Sequence, residues 1–162
     1  MSTRSQVLVH GHNAIVYRHS DGYPDGPSGV LKALLPLCAD FIKFRGFDPE
    51  YLTAHIAAEF IRLHRAWFKR AQRQRMKDGY PFGPMDRQTE FIGHGVEAWD
   101  GVFHGDVEYI YIVHKDHVEV RHGGKGFWDN STLANTDLVK KVRFDGKGYG
   151  RPRKKDKIKD YS

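Results

Sequence analysis

Val107-Glu108-Tyr109-Ile110-Tyr111-Ile112-Val113-His114-Lys115-Asp116-His117-Val118-Glu119-Val120-Arg121 is the segment from which the architecture follows. Side chains alternate between the two sides of a strand, so Val107, Tyr109, Tyr111 and Val113 face one way and Glu108, Ile110 and Ile112 the other. Apart from Glu108 both sets are apolar, which is the composition of a strand covered on both faces, and the segment is expected to be central in its sheet. Lys115 and Asp116 interrupt the run before 117–121 resumes in β-branched alternation, which predicts a hairpin.

The N-terminal part repeats this pattern. Residues 6–10 and 14–19 are β-rich and flank Gly11-His12-Asn13, where Gly and Asn supply the positive φ that tight hairpins need. Two shorter runs, 90–92 and 139–144, are candidates for edge strands. Helices are expected between the hairpins. Val30, Leu34, Leu37, Phe41 and Phe44 recur at helical spacing up to Gly46, although Pro36 should weaken or kink that helix. Asp48 reads as an N-cap with Pro49 at the first helical position, and Leu52, Ile56, Phe60, Leu63 and Trp67 continue the apolar stripe of a second, longer helix. Beyond Trp67 the stripe dissolves into Gln and Arg. The expected fold is α+β: an antiparallel sheet of about four to five strands packed on two helices. One domain over 1–145 would be followed by a basic flexible tail, 146–162, with too little apolar surface to fold alone.

A length of 162 residues and 40% apolar content suffice for one core without covalent staples. The single cysteine, Cys38, lies in an apolar helical run and reads as a core residue, and no disulfide framework or multi-thiolate zinc site is open to this chain. No run approaches the roughly 20 apolar residues that span a bilayer. The polar start Met1-Ser2-Thr3-Arg4-Ser5 lacks a signal-peptide core, so a cytoplasmic protein without a membrane partner is expected.

The net charge of +6 is unevenly placed. Arg62, Arg65, Lys69, Arg70, Arg73, Arg75 and Lys77 follow one another without an acid among them, and Arg151, Arg153, Lys154, Lys155 and Lys157 crowd the C-terminal segment. Like charge at this density repels itself, and a polyanion relieves it; the plainer alternative is a solvated helix face and a solubilising tail. Lys125, in the Gly-rich run His122-Gly123-Gly124-Lys125-Gly126-Phe127-Trp128, is a further candidate phosphate contact. That run lacks the spacing and final Ser/Thr of a P-loop. Phe127 and Trp128 are either stacking platforms for single strands or anchors seating the segment on the sheet.

Candidate chemistry concentrates in Tyr17-Arg18-His19-Ser20-Asp21-Gly22-Tyr23-Pro24-Asp25-Gly26. Histidine is the side chain suited to acid/base work at neutral pH, which makes His19 a candidate that Asp21 could orient, with Tyr23 and Glu108 as further acid/base groups. The same letters describe a strand exit closed by an Asx turn and a glycine. Ten histidines raise the question of a metal. His10 and His12 lie two apart, His114 and His117 three apart, and a site from His10, His12 and His19 is conceivable, yet no HExxH or comparable signature exists. No metal or cofactor is expected.

Ser2-Thr3-Arg4-Ser5, a hairpin ending in Tyr17-Arg18-His19, then Ser20-Asp21-Gly22-Tyr23-Pro24 and a helix opening near Gly29 together carry a resemblance. They resemble a group of small uncharacterised bacteriophage and mobile-element proteins that share "TRS, hairpin, HWDGYP", with Ser20 here where that pattern often has Trp. The resemblance covers the first quarter of the chain and implies an accessory protein acting in a bacterial cytoplasm, with no activity attached. Three functional readings stay open at this point: a basic protein binding nucleic acid or a nucleoprotein complex, a His/Asp-dependent phosphodiester hydrolase, and an inhibitor that docks on a host defence complex. The first is the main expectation, and an enzyme the lesser one.

Overall fold

The apolar strand of 109–113 does lie in the middle of the sheet. In the computed structural model, which describes residues 3–81 and 91–145, the elements follow in the order β1 (Ser5–Val9), β2 (Ala14–Arg18), α1 (Val30–Arg45), α2 (Pro49–Lys77), β3 (His94–Ala98), β4 (Tyr109–Val113), β5 (His117–Gly123), a 3-10 turn (Leu133–Asn135) and β6 (Thr136–Arg143). The strands form one sheet in the order β3-β2-β1-β4-β5-β6. All pairs are antiparallel except the central one, where β1 and β4 run parallel with Ser5 opposite Tyr109 and Val9 opposite Val113.

The α+β class and the two helices therefore hold, while two expectations are corrected. The sheet has six strands rather than four or five, and it is mixed rather than antiparallel throughout. Each local hairpin is specified by its own turn, but the seam that joins the two hairpins forms only in the tertiary fold, and nothing local signals its direction. The edge strand expected at 90–92 is also displaced: Phe91 and Ile92 are not in a strand, and β3 follows at His94–Ala98. Its sequence His-Gly-Val-Glu-Ala lacks an apolar alternation because it pairs only with β2 and leaves Val96 57% exposed. The segment 139–144 is realised as β6, which starts three residues earlier than expected. Residues 146–162, where a flexible basic tail is expected, lie outside the described residues.

Both faces of the sheet are covered, as the composition of β4 demands. On one face Val7, Val9, Val16, Tyr111, Val113, Val118 and Val120 pack against Val30, Leu34 and Cys38 of α1 and Leu52, Ile56 and Phe60 of α2. Burial pushes the Cys38 thiol up to about 12, which leaves it an inert core group. On the other face Leu8, Ile15, Ile110 and Ile112 are covered by Phe103, Val107 and Phe127 from the connections flanking β4 and β5. α1 runs unbroken through Pro36, whose missing N–H removes the donor that would serve the Lys32 carbonyl. Asp48 caps α2, accepting from the Tyr51 N–H at 3.3 Å, and Pro49 occupies the first position.

Candidate nucleic-acid interface

The loop 19–29 is built first as a joint. The Gly22 N–H donates to the Thr3 carbonyl at 2.8 Å, and the Tyr111 hydroxyl, buried on the central strand, donates to the Gly22 carbonyl at 2.6 Å. A Cβ at Gly22 would meet Ser5 Cβ and the Thr3 carbonyl oxygen at 2.8 Å, so only glycine fits this approach. The loop then caps α1 with its own backbone: Val30 N–H donates to the Tyr23 carbonyl and Leu31 N–H to that of Pro24. These are the amides with which a helix start could hold an anion, and here they are already engaged. Tyr23 donates its hydroxyl to Asp21 Oδ1 at 3.1 Å and lies 3.0 Å from Ser28 Oγ.

This construction separates the expected catalytic residues. His19 lies with Tyr17 on the face away from the helices, its Nδ1 3.5 Å from the Tyr17 hydroxyl. Arg18 points to the opposite face, over the ring of Phe60 at 5.0 Å. Asp21 turns back toward Arg18 and Tyr23 with a φ of 53°, a left-handed conformation that Asp adopts more readily than most residues. No hydrogen bond joins His19 to Asp21 among the described residues, nor does the exposed Glu108 carboxylate bond to either, although Glu108 lies at the same end of the sheet. The alternation of β2 sends His19 away, and the turn at Asp21 keeps that carboxylate on the helical side.

The helical side holds a cavity of about 830 Å³ between α1, α2 and the loop, a size suited to a small ligand or a nucleotide. Arg18 forms part of its lining. Its Nε donates to the Ser20 carbonyl at 3.0 Å and one Nη to that of Ser28 at 3.1 Å, and burial lowers its pKa from the ordinary guanidinium value. Along the α2 wall Phe60, His94, His64 and Trp67 form a chain of rings, with centroid separations of 5.8, 5.5 and 5.9 Å in that order. Gly93 makes room for it: a Cβ there would approach the His64 ring to 3.2 Å. Burial first, then the charges of Arg18 and His64, lowers His94 to about 4. Its Nε2 is buried with no hydrogen-bond partner. Trp67 is 53% exposed beside the cavity. Lys32, Arg62 and Arg70 are among its cationic lining residues, against Asp21, Asp40 and Glu59.

The second half of α2 extends this surface. With 29 residues the helix is about 43 Å long, and after Phe60 its only buried residue is Phe68. Arg65, Lys69, Arg70, Arg73, Arg75 and Lys77 are all exposed. Arg62, Arg65, Lys69, Arg73 and Lys77 recur every three or four residues and share one face. Arg62 is partly neutralised, since its guanidinium forks onto Glu59 at 2.6 and 2.9 Å. Arg70 joins the cation run to the cavity.

Lys125 sits elsewhere, in the connection that covers the opposite face. Phe127 is a core anchor there, whereas Trp128 is 73% exposed and anchors nothing. The amides of Gly124, Phe127, Asp129 and Asn130 donate to carbonyls within the segment 124–135, so these four serve the segment's own turns. Arg151, Arg153, Lys154, Lys155 and Lys157 fall outside the described residues. A grouping of His10, His12 and His19 is not formed, because His10 and His19 leave opposite ends of the antiparallel β1–β2 pair. Instead His114, His117 and Glu119 converge, a set in which Glu119 was missed; the signal was its position two residues after His117 on the same side of one strand.

Comparison with protein-family models, curated proteins and solved structures found no match. Among the described residues no helix is long and apolar enough to cross a membrane.

Proposed function

We propose that the chain is a small basic accessory protein, of the phage or mobile-element kind its N-terminal pattern resembles, that binds nucleic acid or a nucleoprotein complex in the bacterial cytoplasm. The observation that supports this reading best is that Trp67 and Arg70 line the same cavity as Arg18 and lead into the basic face of α2. An exposed indole beside guanidinium groups suits a base and its phosphates, and the following turns of helix suit the phosphates that continue from it. Lys69, Arg70 and Arg73 would contact the backbone, Trp67 would stack a base, and the neutral His94 would offer its unpartnered nitrogen to a polar edge. A hydrolase built on His19 and Asp21 has less support, because those side chains point to opposite sides of the sheet.

Fluorescence anisotropy with labelled single-stranded DNA, RNA and duplexes over a salt series tests the reading. Affinity should fall with a log–log slope of about −0.7 for each single-strand phosphate contact, and Lys69→Gln/Arg70→Gln/Arg73→Gln should flatten the slope by about 2. Trp67→Ala should cost about 1–3 kcal/mol with little change of slope. Absence of binding to every one of these probes at low salt would overturn the proposal.

A further inference from the structure

At the end of the sheet away from the loop 19–29, the β4–β5 hairpin gathers groups that a nucleic-acid contact does not use. The hairpin is closed by the His114 N–H donating to the His117 carbonyl at 2.8 Å, which places both imidazoles on one side of the turn. Their rings stack at 4.4 Å with an angle of 14°, so one imidazole must rotate about its side-chain torsions to bring both in-plane lone pairs onto a single ion. Glu119, two residues beyond His117, presents its carboxylate to the same side, with Oε1 3.0 Å from His114 Nε2. One donor atom from each of the three residues lies within 4.8 Å of the others.

We propose that His114, His117 and Glu119 form a binding site for a divalent transition-metal ion of the zinc class. Two imidazoles and one carboxylate are a donor set that zinc accepts, with a fourth position left for water or another ligand. With bonds of about 2.0–2.1 Å, two ligands of a tetrahedral ion stand about 3.3 Å apart, close to the separation His114 and Glu119 already have. The ion would take the place of the proton between them, so uptake releases protons and weakens as pH falls.

The surroundings are those of a supported site. Asp116 Oδ1 lies 2.7 Å from His117 Nδ1, in the place of an outer carboxylate that orients a ligating imidazole. Arg121 Nε donates to Glu119 Oε2, which fixes the carboxylate and leaves Oε1 turned toward His114. His10 flanks the cluster, its ring centroid 5.1 Å from that of His114. Glu119 is itself held well ionised, at about 2, by its hydrogen bonds to His114 and Arg121.

Titration of the full chain, freed of metal with a chelator, with Zn²⁺ by calorimetry and with Co²⁺ by visible absorption tests the site. One equivalent should bind at micromolar or lower dissociation constant, with a ligand-field spectrum of low coordination number, and His114→Gln or His117→Gln should weaken binding at least about tenfold. His122→Gln, on the other side of β5, should leave it unchanged. Absence of binding at about 100 μM Zn²⁺, or binding that survives His114→Gln/His117→Gln, would overturn the proposal. Should that double variant fail to fold, imidazole ¹⁵N shifts of the wild-type chain on adding Zn²⁺ give the answer directly. Perturbation centred on His114 and His117 supports the site; perturbation confined to other histidines removes it.

Discussion

The two ends of the central β1–β4 pair are made from similar polar letters and use them in opposite ways. Where Ser5 faces Tyr109, the loop with His19, Asp21 and Tyr23 is consumed by backbone construction: Gly22 is locked between Thr3 and the Tyr111 hydroxyl, and the carbonyls of Tyr23 and Pro24 cap α1. Where Val9 faces Val113, His114, His117 and Glu119 bring their side chains together beside His10, and main-chain bonds such as His114 N–H to the His117 carbonyl and His10 N–H to the Val113 carbonyl leave those side chains uninvolved in backbone construction. A cluster of chemical groups in a sequence therefore means little until it is known whether main chain or side chain does the bonding. The loop looked the richer of the two ends and proved the more structural.

Substitutions at each end test that contrast, and Gly22→Ala should have the largest effect. A methyl group there meets main-chain atoms that cannot rotate away, so a loss of about 3 kcal/mol in urea unfolding is expected. A loss below about 1 kcal/mol would mean that the loop yields and the contrast is overstated. Tyr111→Phe comes next, at about 1–3 kcal/mol, because it leaves the buried Gly22 carbonyl without a donor.

Smaller effects should appear as pH dependence. The Glu119 carboxyl is held at about 2 in the folded chain against an ordinary 4.5, so its contribution to stability is complete above pH 4.5 and is lost as pH falls through 2. Melting temperatures of Glu119→Gln should be flatter than wild type across that window, and equal slopes would remove the carboxylate from the acid transition. His94 should give the least. It is lowered to about 4 from 6.5, so it favours folding above pH 6.5 and that advantage is lost as pH falls through 4. His94→Gln should reduce the stability change between those limits, read by the same melting curves, while leaving the lower part of the Glu119 window intact.

Features specified within one element were legible in the sequence. Asp48 and Pro49 marked the start of α2, Gly46 the end of α1, and the two-sided apolar pattern of 109–113 its central place. The exposed cations of α2 were legible for the same reason, since the apolar stripe gives way to Gln and Arg along a single helix. Edge strand β3 was not, because an edge needs no apolar alternation, and neither was the parallel direction of the β1–β4 seam. The cavity could not be read at all: Arg18, Lys32, Trp67 and His94 come from four separate parts of the chain. Two members of the hairpin cluster were visible as His114 and His117, and the third, Glu119, stood two residues further along the same strand face, but their convergence required the turn between β4 and β5.

The seam between β1 and β4 also sets a schedule for biosynthesis. Its two partners are separated by about a hundred residues, which at about 5–20 residues/s corresponds to on the order of 5–20 s of translation. For that interval the β1 edge of the first hairpin stays open, where Val7 and Leu8 await Tyr111 and Ile112. The nascent chain must keep this edge from pairing with a neighbour until the second hairpin emerges. Stalling between β2 and β4 would thus be the moment of greatest aggregation risk, and a ribosome-associated chaperone would be most useful to this protein then.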